Sequence, residues 1–172
     1  MQNETISCLV EEIIYTNEDN GYTVMQASYA DGHDYFTAVG TLPCINEGQY
    51  LNITGYWTTH FDYGDQFRVE YYEAVMPSDT ETILRYLSSG IVEGVRQATA
   101  KKLVDAFGTE TLNIMLTAPE KMAELKGISM DKALKISESY KQLQSVQNLV
   151  IFLQKYQISP SIAMKVHDIF GS

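Results

Sequence analysis

Gly94-Val95-Arg96-Gln97-Ala98-Thr99-Ala100 and Gly127-Ile128-Ser129-Met130-Asp131-Lys132-Ala133 are two copies of one device, 33 residues apart. A third copy, Gln157-Ile158-Ser159-Pro160-Ser161-Ile162-Ala163, follows 30 residues later without the leading glycine. Each copy has an aliphatic just inside a tight turn and an alanine in seventh place. A lysine follows two positions on (Lys102, Lys135, Lys165), and then an aliphatic (Leu103, Ile136, Val166). A period of about 30 residues holds one pair of helices. Glycine supplies the backbone freedom that a sharp turn needs, and alanine lets two helices approach closely. The expected element is therefore a helix-hairpin-helix, whose turn amides and following helix N-terminus suit a phosphate.

Around these turns the apolar residues fall at helical spacing. In Met76-Pro77-Ser78-Asp79-Thr80 the proline stops the preceding segment, and Ser78, Asp79 or Thr80 can cap a helix. Helices are predicted over 81–88, 99–107 with Gly108 as its C-cap, 110–116, and from Ala118-Pro119 through Leu125. Further helices are predicted from 130 to about 143, with Ala133, Leu134, Ile136 and Ser137 inward, then over 146–156 and 160–170. The units of the array lie around 81–107, 109–141 and 145–170, within a helical domain of residues 78–172.

Residues 1–77 carry a different rhythm. Ile6, Cys8 and Val10 alternate with polar neighbours, and Ile13-Ile14-Tyr15 continue the run. The turn Asn17-Glu18-Asp19-Asn20-Gly21 leads to Tyr22-Thr23-Val24-Met25-Gln26-Ala27, and Asp31-Gly32 leads to Tyr35-Phe36-Thr37-Ala38-Val39. Segments 49–58 and 67–75 complete five strands. Five short strands in about seventy residues suit an OB-like barrel, with a β-sandwich as the alternative. The fold class expected is thus α+β: a five-stranded OB-like β-barrel, then an all-α tandem helix-hairpin-helix array. The many rings of this half are expected to fill the barrel or cover its face. Any exposed ones are candidates for protein contact.

Charge divides the chain at the same place. Residues 1–80 hold thirteen Asp and Glu against Arg68 alone, a net −12, while residues 81–172 carry eleven bases and nine acids, a net +2. Phosphate affinity depends on Lys and Arg, so the second half tolerates a polyanion and the first repels it. The first residues have neither the basic region nor the apolar core of a signal peptide, and no apolar run approaches a membrane span. Cys8 and Cys44 lack metal-ligand spacing and read as reduced thiols of a cytoplasmic protein. His60, Asp62 and Asp65 read as a solvated turn rather than a metal site. No Gly-x-x-x-x-Gly-Lys-Ser/Thr loop is present, so no cradle for ATP phosphates is expected.

Several motifs resemble one family. Trp57-Thr58-Thr59-His60-Phe61-Asp62-Tyr63-Gly64-Asp65-Gln66-Phe67, Asn20-Gly21-Tyr22-Thr23-Val24 and Val39-Gly40-Thr41-Leu42-Pro43 are similar to the N-terminal OB-like domain of long RecD/TraA-type DNA helicases. Tyr86-Leu87-Ser88-Ser89-Gly90 to Phe107-Gly108 resembles the first hairpin of that family, which usually reads Gly-Ile-Gly. Phe152-Leu153 to Phe170-Gly171 resembles the stretch before further hairpins. The resemblance implies a non-catalytic N-terminal fragment of an ATP-dependent 5′–3′ helicase of repair or recombination, nucleoid-associated when bound to DNA. ATP and Mg²⁺ would belong to the motor domain of the parent. The implied partners are DNA (single-stranded or junction, without sequence preference), that motor, and a repair protein.

The candidate DNA contacts are Gly94, Val95, Arg96, Lys101, Lys102, Gly127, Ser129, Lys132 and Lys135. Arg96, Lys101 and Lys102 are expected to lead, with Lys132 and Lys135 secondary, while the third unit serves as scaffold. DNA-binding hairpins favour glycine where this chain has Arg96, Ser129 and Ser159, because a second glycine lets backbone approach phosphate. Two other readings stand beside this one. The hairpins are purely structural and the acidic first domain docks on the motor or on another protein; or the chain is an enzyme itself, for which no carboxylates and histidine converge.

Overall fold

A computed structural model of the protein describes residues 3–30, 32 and 34–154, with residues 156, 158, 162, 165 and 169 beyond them. The third repeat, with Gln157, Ser159 and Ala163, and the expected helix over 160–170 lie essentially outside the described residues.

Five strands come first: β1 (Glu4–Thr16), β2 (Tyr22–Tyr29), β3 (Tyr35–Thr41), β4 (Tyr50–His60) and β5 (Gly64–Val75). They close into a barrel in the order β1-β2-β3-β5-β4, so the sandwich alternative is excluded. β1 reaches two neighbours because it coils. Its first half pairs with β4 from Glu4↔Gly55 to Leu9↔Tyr50, and its second half continues along β2. Register shifts at Val10/Glu12 and Ile13/Tyr15 provide the bend, since an extra residue in one strand sharpens the twist. The parallel pairing Thr37↔Gln66 to Gly40↔Val69 closes the barrel between β3 and β5. Alternation directs Ile6, Cys8, Val10, Met25, Ala27, Ala38, Leu51, Ile53 and Phe67 inward, where they form the core.

Five α-helices are delimited among the described residues that follow: α1 (Thr80–Ser88), α2 (Gln97–Phe107), α3 (Thr111–Thr117), α4 (Pro119–Ala123) and α5 (Met130–Gln154). Asp79 caps α1, its carboxylate accepting from the Thr82 N–H at 2.9 Å. Ile83, Tyr86, Leu87, Leu103, Met115 and Ile136 belong to a second core, separate from that of the barrel.

Two expectations are corrected here. The helices expected over 130–143 and 146–156 are one, α5, because Leu143-Gln144-Ser145-Val146 contains no Gly or Pro to interrupt it. Leu134 was expected inward with Ala133, Ile136 and Ser137, yet it is exposed. The buried row of α5 is Ala133, Ile136, Ser137 and Tyr140, a spacing of three, one and three that leaves position 134 about 100° off the stripe.

The chain divides into two units, residues 76–145 and the barrel, which takes in the described residues from Val146 on. Val150 joins the barrel core, with Val146 and Leu153 packed against it. The described start of the segment expected to form a third hairpin unit thus contributes apolar side chains to the barrel, and the rest of that unit lies outside the described residues.

Candidate nucleic-acid interface

The first turn is built between α1 and α2. Gly90 and Gly94 both take positive φ (+83° and +84°), reversing the chain twice within five residues. Val92 and Val95 are buried and hold the turn to the helical core, and the Val95 N–H donates to the Val92 carbonyl at 3.0 Å. Arg96 then sits extended at φ −117°, ψ 175°, in the N-cap position of α2, and its side chain makes no cap bond. The first-turn amides of α2 thus lack the usual side-chain acceptor, which suits them to an anion.

The second turn, between α4 and α5, repeats this construction. Gly127 has φ +87°, Ile128 is buried, and the Ile128 N–H donates to the Leu125 carbonyl at 3.1 Å. The Ala133 N–H reaches the Ser129 carbonyl at 2.9 Å, as the Ala100 N–H reaches that of Arg96 at 2.8 Å. The difference lies in the cap. The Ser129 hydroxyl accepts from the Lys132 N–H at 3.2 Å, so a side chain already occupies the N-terminus of α5.

The structure sorts the expected contacts into three groups. Lys102 and Lys132 link the two turns: the Lys102 ammonium donates to the Lys126 carbonyl at 3.0 Å, and that of Lys132 donates to the Thr99 hydroxyl at 3.3 Å. Glu93 adds a third link, its N–H donating to the Ser139 hydroxyl at 3.0 Å. Gly94, Ser129, Lys132 and Lys135 share an open cleft of about 590 Å³, together with Glu93, Asp131 and Glu138. With three carboxylates against two lysines, that cleft is a poor place for phosphate. Val95 is buried, and only its backbone can face a ligand. The remaining group is on the first turn: Arg96 is exposed beside the open α2 N-terminus, and Lys101 stands one turn further on, 3.4 Å from Asp105 in a solvent-facing pair.

Lys102 carries the clearest signal that sequence alone left ambiguous. A methyl group on Gly127 would lie 3.1 Å from the Lys102 Nζ, so the lysine of the first copy is seated on the glycine of the second. Its spacing from Gly94 marked it as part of a repeat but did not reveal which turn it served.

The barrel rings divide as well. Phe36, Phe67 and Tyr72 are buried, whereas Tyr15, Tyr35, Trp57, Phe61 and Tyr63 are exposed. Trp57 packs edge-on against Phe36 and Phe67, with ring centroids 5.7 Å and 5.4 Å away.

Residues 3–77 match the family described as the OB-fold domain of the ATP-dependent DNA helicase YrrC. The first domain is thus similar to the OB-fold domains of RecD-like helicases. The closed order β1-β2-β3-β5-β4 agrees with that assignment. The match also extends beyond the barrel. The ATP-dependent RecD2 DNA helicase of Deinococcus radiodurans is 26% identical over 160 residues, 90% of this chain. The chain spans 22% of the length of that helicase.

Proposed function

We propose that this chain is a non-catalytic, DNA-positioning part of a RecD-like 5′–3′ helicase, in which the α1–α2 turn is a helix-hairpin-helix that holds backbone phosphate. The observation that carries the reading is the uncapped N-terminus of α2, with the exposed guanidinium of Arg96 at its mouth. The net +2 of residues 81–172 favours the helical half over the barrel for a polyanion. Arg96 and Lys101 are the side-chain contacts, and the backbone of Gly94 and Val95 lets the strand approach. The second turn, Gly127 to Ser129, has the same shape but a filled cap. Its Lys132, like Lys102, acts chiefly by holding the turns together, and Lys135 stands in the cleft beside three carboxylates. Contacts of this kind carry no base information, so binding is sequence-independent. ATP and Mg²⁺ would be handled by a motor domain of the parent helicase, in repair or recombination in the cytoplasm.

The test is anisotropy of labelled single-stranded and duplex DNA with this chain at several salt concentrations. Arg96→Ala should lower the slope of log K against log salt by about 0.7 on single strands and about 0.9 on duplex, one phosphate contact. A slope that does not change, with binding retained, removes Arg96 from the interface. Absence of binding at low salt removes the reading altogether.

A further inference from the structure

The OB barrel has a groove of its own, and its chemistry differs from that of the hairpin turns. It encloses about 470 Å³, within the usual range of ligand pockets. Its walls come from three strands and the β4–β5 hairpin: Ile14 and Tyr15 from β1, Tyr22 and Val24 from β2, Val39 from β3, and Tyr63 from the hairpin. Thr37, Gln66 and His60 add the polar edge. Three of the wall residues stand well into solvent: Ile14 is 57% exposed, Tyr15 51% and Tyr63 75%. The Tyr63 ring is set against His60, with centroids 4.9 Å apart, and the neighbouring Phe61 is fully exposed at the tip of the hairpin. Large rings held at the surface around a cavity are unusual unless something covers them.

Rings on this face of an OB barrel invite comparison with a platform for stacked bases, but such platforms depend on a basic groove that tracks the phosphates. Here no Lys or Arg among the described residues lines the groove. The turns at its two ends carry Glu18 and Asp19 on one side and Asp62 and Asp65 on the other, all exposed. Residues 1–80 contain thirteen carboxylates and one cation, Arg68, which lies on β5. A nucleic-acid strand laid in this groove would bring its phosphates towards those carboxylates with nothing to neutralise them. A cation meets the opposite situation, with tyrosine faces for cation–π contact and carboxylates at both ends. The strands pair in a closed ring, so the barrel offers no wholly free strand for a partner to extend. Recognition must therefore run through side chains seated in the groove.

We infer that the groove between Tyr15, Tyr22 and Tyr63 is a docking site for a protein segment that combines Lys or Arg with bulky apolar residues. The charge of the barrel selects its basic side chains and the rings seat its apolar ones. The site shares no residue with the proposed phosphate contacts at Arg96, and its occupant is of a different class.

The test uses the whole chain and a fluorescein-labelled peptide, Lys-Trp-Lys-Leu-Arg-Trp, with Glu-Trp-Glu-Leu-Glu-Trp as its acidic counterpart and a labelled oligo-dT as the nucleic-acid probe. The basic peptide should bind and the acidic one should not. Tyr15→Ala and Tyr63→Ala should each weaken binding about tenfold. Both rings are exposed, and an unaltered Trp57 emission will verify that the barrel is intact. Neither variant changes charge, so equal affinity for wild type and both ring variants would mean diffuse attraction to an acidic surface and would overturn the proposal. Equal binding of the acidic peptide, no binding of the basic one, or its displacement by oligo-dT in a Tyr15-dependent manner would overturn it too. Arg96→Ala should leave peptide binding unchanged, which separates this outcome from failure of the DNA reading.

Discussion

Gly55 on β4 is the position where a single methyl group should be most damaging. A Cβ there would overlap the Arg68 carbonyl oxygen and press on the Arg68 carbonyl carbon at 2.8 Å and the Val69 Cα at 3.1 Å. All three neighbours are backbone, so no rotamer change relieves the clash. β4 and β5 must separate by more than an ångström, beside the register shift at Thr54/Gly55 that already bends them. Separation on that scale breaks the adjacent ladder bonds. Each lost bond costs about 1 kcal/mol net, and more where the groups stay buried and unpaired. Overpacking strain adds about 1–3 kcal/mol, while the stiffer alanine chain returns about 0.4–1 kcal/mol. Gly55→Ala should thus cost about 3–4 kcal/mol, a large part of the stability of a domain of this size. Trp57 provides the assay, being the single tryptophan and lying two residues along the same strand with its ring against Phe67. Its emission should shift at a much lower denaturant concentration in the variant. A midpoint within about 0.5 kcal/mol of wild type would refute the close approach of β4 and β5.

Burial pushes Cys8 and Tyr140 up to about 12, and it also raises Tyr72 and Tyr86. The folded state then keeps protons that the unfolded state releases from about pH 9 for the thiol and pH 10 for the phenols. Stability should be flat below that window and fall towards pH 12, by about 1.4 kcal/mol per pH unit for each group in its titration range; denaturant midpoints unchanged between pH 8 and 11 would contradict this. Hydrogen bonds from Thr82 hold the Asp79 carboxyl below its ordinary value, so its contribution to α1 is present above the unfolded pKa and should fade as acid protonates it. Asp79→Asn, which keeps a capping oxygen, should blunt that acid dependence in helix ellipticity. Lys102→Met should destabilise the helical unit by about 0.5 kcal/mol through loss of the Lys126 bond, with a smaller change in DNA salt slope than Arg96→Ala. A slope change as large as that of Arg96 would mean that Lys102 serves phosphate after all. Val150→Asp should weaken the Trp57-reported transition by about 3 kcal/mol or more, because it places a carboxylate among the barrel core residues; no change would remove α5 from that core.

Much of this protein was readable without coordinates, because the relevant signals are local. Strand alternation from Ile6 to Val10, the turns at Asn17–Gly21 and Asp79, and the helical spacing of Ile83 and Leu87 depend only on residues a few positions apart. The glycines of the repeats and the charge contrast between the halves are equally local, and they located both turns. The order in which five strands close was not local, since nothing in the spacing of β3 and β5 specifies their parallel pairing. Sequence could not assign the lysines either. Lys101 and Lys102 are neighbours, yet helical geometry points them about 100° apart, one towards Asp105 in solvent and the other onto the carbonyl before Gly127. The exposed rings of the groove were indistinguishable from core rings by composition, because either face of a strand accepts tyrosine. Which face meets water depends on the curvature and closure of the whole barrel. Sequence by itself therefore determined the elements, the turns and the sign of each half. Tertiary structure alone decided which lysines are already engaged and which rings stay exposed, because both depend on what a distant segment brings alongside.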